Sequence, residues 1–445
     1  MSTTISNQFR DTGRLGAFLF FDRDAVERSN PTTVIRTLAY QIGSFHARAG
    51  IAISAALEKF PSICLSPLRL QFQRLLIDAL SSDGVMNTDE PIVLVLDALD
   101  ECGGVGGRDT LLETLAEESV KLPAAIRIII TSRSVRDIHL TFKAQKNIIA
   151  MELDITSETN SNDIMLYIKH QMMRVRMKAG ALSLAKDWPG EEDMRHLASR
   201  ASGLFVWAST ASRFIDGHDP RRRLDIILRG HTESGADRAL DTLYRTALQA
   251  AGNWDDADFV ADFRAILGAV LVAQQPLSSN VIDLLLDTLS DRPSIHTISQ
   301  LGCVLQQYPT VRLLHPSFAD FLTTRARCGR DAWFFDQVSH NQTFFLHCLR
   351  HLNGVLRRNL CNSSPTNNMK NAVLPEDVAY ACIFWVDHLC LVTEDVSFVI
   401  EPLDIFIKQH LLHWFEAMSI LGRSRDTIKL LEKLGFWTIV SIFLF

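Results

Sequence analysis

Three carboxylates fall within five positions at Asp97-Ala98-Leu99-Asp100-Glu101. Oxygen ligands of this kind suit a hard cation such as Mg²⁺, and Asp97 would hold it directly or through water. Asp100 and Glu101 alongside could polarise a water that attacks a phosphate. The same residues also fit a solvated acidic turn, and the triplet alone does not choose. The residues just before it narrow the setting. Ile92-Val93-Leu94-Val95-Leu96 is an unbroken aliphatic run, the pattern of a strand covered on both faces. The acids therefore sit at a strand's carboxyl end, where open α/β sheets collect their ligands.

Other elements must position those acids. Leu15–Phe21 is a second apolar run and reads as a buried strand. Pro31 stands at the first position of a helix whose inner stripe is Val34, Ile35, Leu38, Ala39 and Ile42. Leu68–Leu80 repeats the pattern with Leu68, Phe72, Leu75, Leu76 and Ala79. The cluster Gly103-Gly104-Val105-Gly106-Gly107 invites a test as a phosphate cradle. It fails, because no Gly-Lys-Ser/Thr ending follows to reach the phosphates. A surface loop is the expectation. Asp109 or Thr110 caps the next helix, with Leu111, Leu112, Leu115 and Ala116 inward. Ile126–Thr131 is a third strand, ending in Ser132-Arg133, and Ile148–Leu153 a fourth. Strands and helices alternating around a carboxylate-tipped strand imply a doubly wound sheet.

Composition excludes several classes. With 445 residues the chain has room for roughly three domains. A formal net charge of -6 argues against a general nucleic-acid surface. Eight cysteines without a Cys-x-x-Cys pair fit free thiols in a reducing compartment. Met1–Asp11 is polar and is no secretory signal, and the apolar ending Leu434–Phe445 is too short to span a bilayer. The expectation is a soluble, cytoplasmic protein with no membrane and no nucleic-acid partner.

The remaining chain reads as helices. Asn160–Val175 is amphipathic, and Met172, Met173 and Met177 read as core filling, with a promiscuous groove the less common use. Phe205 and Trp207 are expected in the core. Asp219-Pro220-Arg221-Arg222-Arg223 reads as a solvated helix start. Three helices between Phe259 and Leu305 precede a small hairpin, Cys303–Gln306 with Thr310–Leu314, a winged-helix pattern. A DNA-reading helix would be basic, and Ser294–Leu301 has no Lys or Arg. His315 ends the hairpin, and Ser317 is expected to cap the helix that follows. Helical stripes recur at Phe344–Leu360, Val378–Leu391 and Leu403–Leu421, with Cys361–Lys370 a polar loop. The sequons at Asn341 and Asn362 are expected to stay unmodified in a cytosolic chain.

Five blocks in order carry a resemblance: Phe-Phe-Asp-Arg-Asp (20–24), Ile92–Cys102, Ile126–Arg133, Gly203–Ser209 and Leu313–Leu322. Over roughly Leu15 to Leu322 the chain resembles the fungal NACHT nucleotidases, a branch of the STAND signalling ATPases of NACHT/WD-repeat or nephrocystin-3-like type. The resemblance implies an α/β parallel-sheet P-loop NTPase core followed by helical and winged-helix domains, mostly α overall. It makes Asp97 the Mg²⁺ aspartate, Asp100 and Glu101 the catalytic pair of a Walker B strand, and Arg133 a sensor of the γ-phosphate. It also implies that His315 touches the β-phosphate of bound ADP. A histidine satisfied at a domain seam explains that position equally well.

The pattern also departs from the family. Family members place a strand, a Gly-Lys-Ser/Thr loop and a helix before the first strand seen here, and only fourteen residues precede Leu15. The expectation is an amino-terminally truncated core lacking Walker A, with one flank of the acidic strand unpaired and exposed. Met1–Arg14 would be the tail of the missing helix, with Ile5 and Phe9 inward. The divisions expected are 1–155 nucleotidase core, 156–235 helical domain, 236–325 winged helix and 326–445 helical extension. The function expected is signalling or scaffolding of heterokaryon-incompatibility type through protein partners or self-association, without ATP hydrolysis of its own. No cofactor is assured, and ATP or ADP with Mg²⁺ are the candidates. The alternative is a working ATP- or GTP-dependent switch whose phosphate-loop exon is missing from the gene model.

Overall fold

The computed structural model describes residues 2–23, 25–82, 85–86, 90–103, 107–143, 145–179, 184–230, 235–287, 292–358, 373–392 and 397–444. Residues 104–106 of the glycine cluster, and the loop with its sequon at Asn362, lie outside them. The chain divides into two compact units, Met1–Leu153 and Asp154–Phe445.

The first unit is built on a parallel three-stranded sheet in the order β1 (Leu15–Phe20), β2 (Ile92–Asp97), β3 (Ile126–Ile130). β2 is therefore the central strand and is paired on both sides, Phe18 to Val95 and Val95 to Ile129. This corrects the expectation of an unpaired flank, since the 15–20 and 126–130 runs fill both neighbouring places. Every aliphatic of β2 is buried, while Ile128, Ile129 and Ile130 of β3 are half-exposed. The pairing of β1 skips Gly16, where a Cβ would stand 2.5 Å from Ile92 Cγ2.

Helices cover the sheet. α1 (Ser2–Asp11) buries Ser2 and Ser6, with Ile5 and Phe9 only half-buried. α2 (Val34–Phe45) buries the whole predicted stripe, and α3 (Ala47–Lys59) packs beside it. α4 (Leu68–Phe72) runs into a wider π turn, Gln73–Asp78. α5 (Asp109–Glu118) begins after Arg108, which rather than Asp109 or Thr110 occupies the cap position. α6 (Arg136–Lys143) follows β3. The predicted strand at 148–153 does not form. Ile149, Met151 and Leu153 are exposed there, and no described ladder holds the segment.

The second unit is helical apart from one small hairpin. α7 (Glu158–Ala179) buries Ile164, Ile168, Met172 and Val175, but Met173 and Met177 point outward. α8 (Glu191–Arg200) and α9 (Phe205–Ile215) pack on it. Trp207 is buried as expected, whereas Phe205 is 43% exposed, because it opens α9 two positions before its first buried residue. α10 (Pro220–Arg229), α11 (Ala236–Ala251), α12 (Ala257–Val272), α13 (Ser279–Leu286) and α14 (Ser294–Gln300) lead to strands β4 (Leu305–Gln306) and β5 (Arg312–Leu313), joined antiparallel. α15 (Pro316–Leu322), α16 (Gln337–Val355), α17 (Glu376–Cys390), α18 (Ser397–Ile405), α19 (Leu411–Ile420) and α20 (Ser424–Leu444) complete the unit.

A polar chain is sealed between α12, α16 and α17. Asn341 Oδ1 can only accept, so His388 Nδ1 donates to it at 2.9 Å. His388 Nε2 then accepts from the Tyr380 hydroxyl at 2.9 Å, and that oxygen accepts from the Gln274 amide at 3.0 Å. His388 is fully buried, and burial pushes its pKa down to about 3. Asn341 Nδ2 donates to the Gln337 carbonyl. The buried amide of this sequon is therefore closed to modification on structural grounds.

Candidate functional site

The acids of β2 lie at the sheet's carboxyl edge, and a strained turn sets their spread. Ala98 has φ 58 and ψ 49, a left-handed conformation that costs a non-glycine residue about 1 kcal/mol. It breaks the strand after Asp97 and starts a single 3₁₀ turn, Leu99–Glu101. Thr131, just past β3, holds this break. Its hydroxyl donates to Asp97 Oδ1 at 2.5 Å and accepts from the Ala98 amide at 3.0 Å. Its backbone accepts from Leu99 and donates to Leu96.

Arg133 and Asp100 meet directly. Asp100 Oδ1 accepts from the Arg133 amide at 3.0 Å, and Oδ2 from Nε at 2.8 Å. The carboxylate is nearly buried, and the arginine is 40% exposed. Glu101 Oε2 accepts from the Arg23 amide at 3.4 Å, a long bond. Burial raises the Glu101 pKa, Arg23 opposes it, Asp100 adds to it and Arg133 opposes it. A carboxyl raised in this way at a strand end has the character of a proton acceptor tuned upward.

Sequence reasoning missed the residue that ties the turn together. Arg108 is 3% exposed, and its Nη1 donates to the Asp100 carbonyl at 2.5 Å and to Gly103 at 3.4 Å. Its Nε donates to Asp137 Oδ2 on α6 at 2.8 Å, and that hydrogen bond holds the Asp137 carboxyl below the usual range against the opposing effect of burial. Gly103 has φ +65, and a Cβ there would meet Pro31 Cγ at 2.8 Å. The only sequence hint was an arginine behind a glycine cluster. Asp22, just past β1, also reaches this edge, its side chain 13% exposed and 3.8 Å from Arg28. Cys102 is no nucleophile, since burial lifts its thiol to about 12.

Asp97, Asp100, Glu101 and Arg133 thus share one edge of the first unit. His315 belongs to the second unit, where it caps α15 itself in place of Ser317. Its Nδ1 accepts from the Ser317 amide at 3.2 Å and lies 2.7 Å from the Ser317 hydroxyl. An amide can only donate, so the neutral ring carries its proton on Nε2. Tyr244 stands 2.7 Å behind Ser317, and burial lifts its hydroxyl to about 12.

Mg²⁺ keeps several waters and takes one or two carboxylates, with phosphate oxygens completing its shell. Asp97 and Glu101 are donors of the right type. Among the described residues no three His, Cys, Asp or Glu side chains group to hold a metal alone. The residues therefore fit Mg²⁺ only as part of a phosphate complex, where the ion would neutralise phosphate charge.

Residues 1–133 match the family described as nephrocystin 3, N-terminal, a stretch that ends on Arg133 and contains the whole acidic cluster. The chain is also 26% identical over 377 residues to the vegetative incompatibility protein HET-E-1 of Podospora anserina, covering 77% of this chain. The likeness is to an incompatibility protein. Both matches support the HET-E-1-like, NACHT-type family that the motifs implied. The chain spans about a quarter, 26%, of that relative's length. No helix among the described residues is long and apolar enough to cross a membrane.

Proposed function

We propose that this chain is a NACHT-type signalling or incompatibility module of the cytoplasm that acts through protein–protein contacts and does not turn over ATP by itself. The observation that carries this reading is the Asp100–Arg133 pair. The acid that would polarise water and the arginine that would sense phosphate neutralise each other. In this reading 1–155 is a nucleotidase-derived core, 156–235 a helical domain, 236–325 a winged helix and 326–445 a helical extension. The net charge of -6 and a helix α14 without Lys or Arg favour protein partners over nucleic acid. Titration with labelled ATP or ADP plus Mg²⁺ tests it. No turnover and no micromolar binding are expected, and measurable hydrolysis overturns the non-enzymatic half.

A second reading, a nucleotide-gated switch, draws on the Thr131–Asp97 bond and the raised Glu101 pKa. Asp97 would then hold Mg²⁺, and Arg133 would leave Asp100 for the γ-phosphate. ADP with Mg²⁺ should raise the melting temperature, and Asp97→Asn should abolish the rise. No rise in the parent chain removes this reading.

A further inference from the structure

α7 turns two apolar faces outward from its axis, and only one of them is used. The inner face carries Ile164, Ile168, Met172 and Val175 into the core. On the opposite side Leu166 is 68% exposed, Met173 47% and Met177 69%. Steps of seven and four residues put these three on one line along the helix, about 16 Å from end to end, with the exposed His170 between Leu166 and Met173. Phe205 of α9, half-exposed, meets the edge of Tyr167 at 5.9 Å, outside the stripe and on the side of Arg174 and Lys178.

Cations flank the stripe. Lys169 and Arg176 fall on one side at helical spacing, Arg174 and Lys178 on the other. The acids of the helix, Glu158 and Asp163, lie in its first half, outside the 166–177 stripe where every charged residue is basic. Lys169 is 3.6 Å from Glu191 and Lys178 2.9 Å from Asp216. Arg174 donates to Gln171, and Arg176 to the Lys186 carbonyl.

We infer that this face of α7 docks an acidic amphipathic helix of a partner protein. The inference rests on the reading of the chain as a module working through protein contacts. An apolar stripe between two cationic rails is complementary to a helix with leucine-type anchors at i, i+3 and i+7 flanked by Asp and Glu. Methionine adapts to varied anchors. Two other occupants fit less well. A second copy packed face to face would oppose cationic rails to cationic rails, which repel. An anionic bilayer suits the stripe less, because interfacial faces rest on wide bands of Trp, Phe and Leu, and this narrow stripe has one leucine and two methionines.

The test uses the full chain and a fluorescein-labelled peptide of roughly 18 residues, five turns of helix, with leucines on one face and glutamates elsewhere. Saturable binding is expected by anisotropy, weakened by salt. The Met173→Glu/Met177→Glu chain should bind about tenfold or more weakly, a loss in the range of hot-spot truncations. Its melting temperature should not change, because both residues are exposed. Should glutamates disturb folding, the Met173→Ala/Met177→Ala chain replaces it with the same expectation. A photo-leucine version of the peptide should cross-link within residues 158–179. No saturable binding, undiminished binding by the variants, or equal binding of a lysine-for-glutamate peptide would overturn the inference. So would capture by phosphatidylserine vesicles alone, or a dimer that the glutamates dissolve. Cross-links on other helices would remove this face yet keep the protein-contact reading. Measurable ATP turnover would overturn the non-enzymatic half of the proposed function and leave this face untouched.

Discussion

The acidic edge of β2 and the sealed chain around His388 both satisfy every polar group named in them, yet they differ in what surrounds the partners. At the edge, Asp100 is met by an arginine that still touches water, and Glu101 holds only a long bond to Arg23. Around His388 every partner is covered, and the ring is fixed as a neutral relay between Asn341 and Tyr380. A half-exposed ion pair gains little, typically up to about 1 kcal/mol, and exchanges partners at low cost. A sealed network is expensive to disturb, because each orphaned group loses its full solvation. The edge is therefore built for exchange and the buried chain for permanence.

Acid should separate the two most strongly. The folded pKa of His388, about 3, lies below its unfolded value of about 6.5, so the unfolded state takes up a proton first. Its stabilisation is complete above pH 6.5 and drains away as pH falls towards 3. At about 1.36 kcal/mol per unit the loss is on the order of 4 kcal/mol. Burial also lowers His340 and His347, which act in the same direction. Denaturant unfolding of the whole chain across this range should show the slope, and His388→Leu should flatten it while lowering stability at pH 7. An unchanged slope in the variant would break the comparison.

Arg108 sharpens it from the other side, since it brings sealed character to the edge. Arg108→Ala strands Asp137 and two carbonyls and should cost about 3 kcal/mol by urea unfolding. Arg108→Lys should recover part of that. Asp137, with its pKa depressed, stabilises fully above its unfolded value of about 3.9 and loses this as pH falls through the folded one. The Arg108→Ala chain should lack that acid loss. Arg133→Ala should cost only about 1 kcal/mol and move the Glu101 titration, followed by carboxyl NMR, further upward. The smallest effect is expected at Tyr244→Phe, about 0.5 kcal/mol, because Ser317 keeps His315 and some access to water. A cost as large as that of Arg108→Ala would mean the His315 relay belongs with the sealed class.

Much of the first unit was legible because unbroken aliphatic runs have few alternatives. Leu15–Phe20, Ile92–Leu96 and Ile126–Ile130 all became strands, and the acids landed at the predicted end. The 148–153 run carries as much aliphatic character yet forms no ladder, because a strand needs a neighbour and periodicity does not supply one. Phe205 misled in a similar way: its type argued for the core, and its place at a helix start decided otherwise. Arg108 was illegible because its two carbonyl partners are main chain, which leaves no trace in side-chain patterns. Thr131 read only as the end of a strand, since its role depends on standing beside Asp97 across the sheet.

The position of β2 between two distant strands has a consequence for how the protein is made. Leu15 pairs with Val93, which leaves the ribosome 78 residues later. At about 5–20 residues per second, β1 waits roughly 4–16 seconds for its partner. β3, 34 residues further along at Ile92 to Ile126, adds a shorter delay. Throughout that interval the apolar strand Leu15–Phe20 has neither β2 nor β3 beside it. The nascent chain therefore carries an apolar strand without its native neighbour before its acidic edge exists at all, and slowing translation between β1 and β2 should lengthen that window.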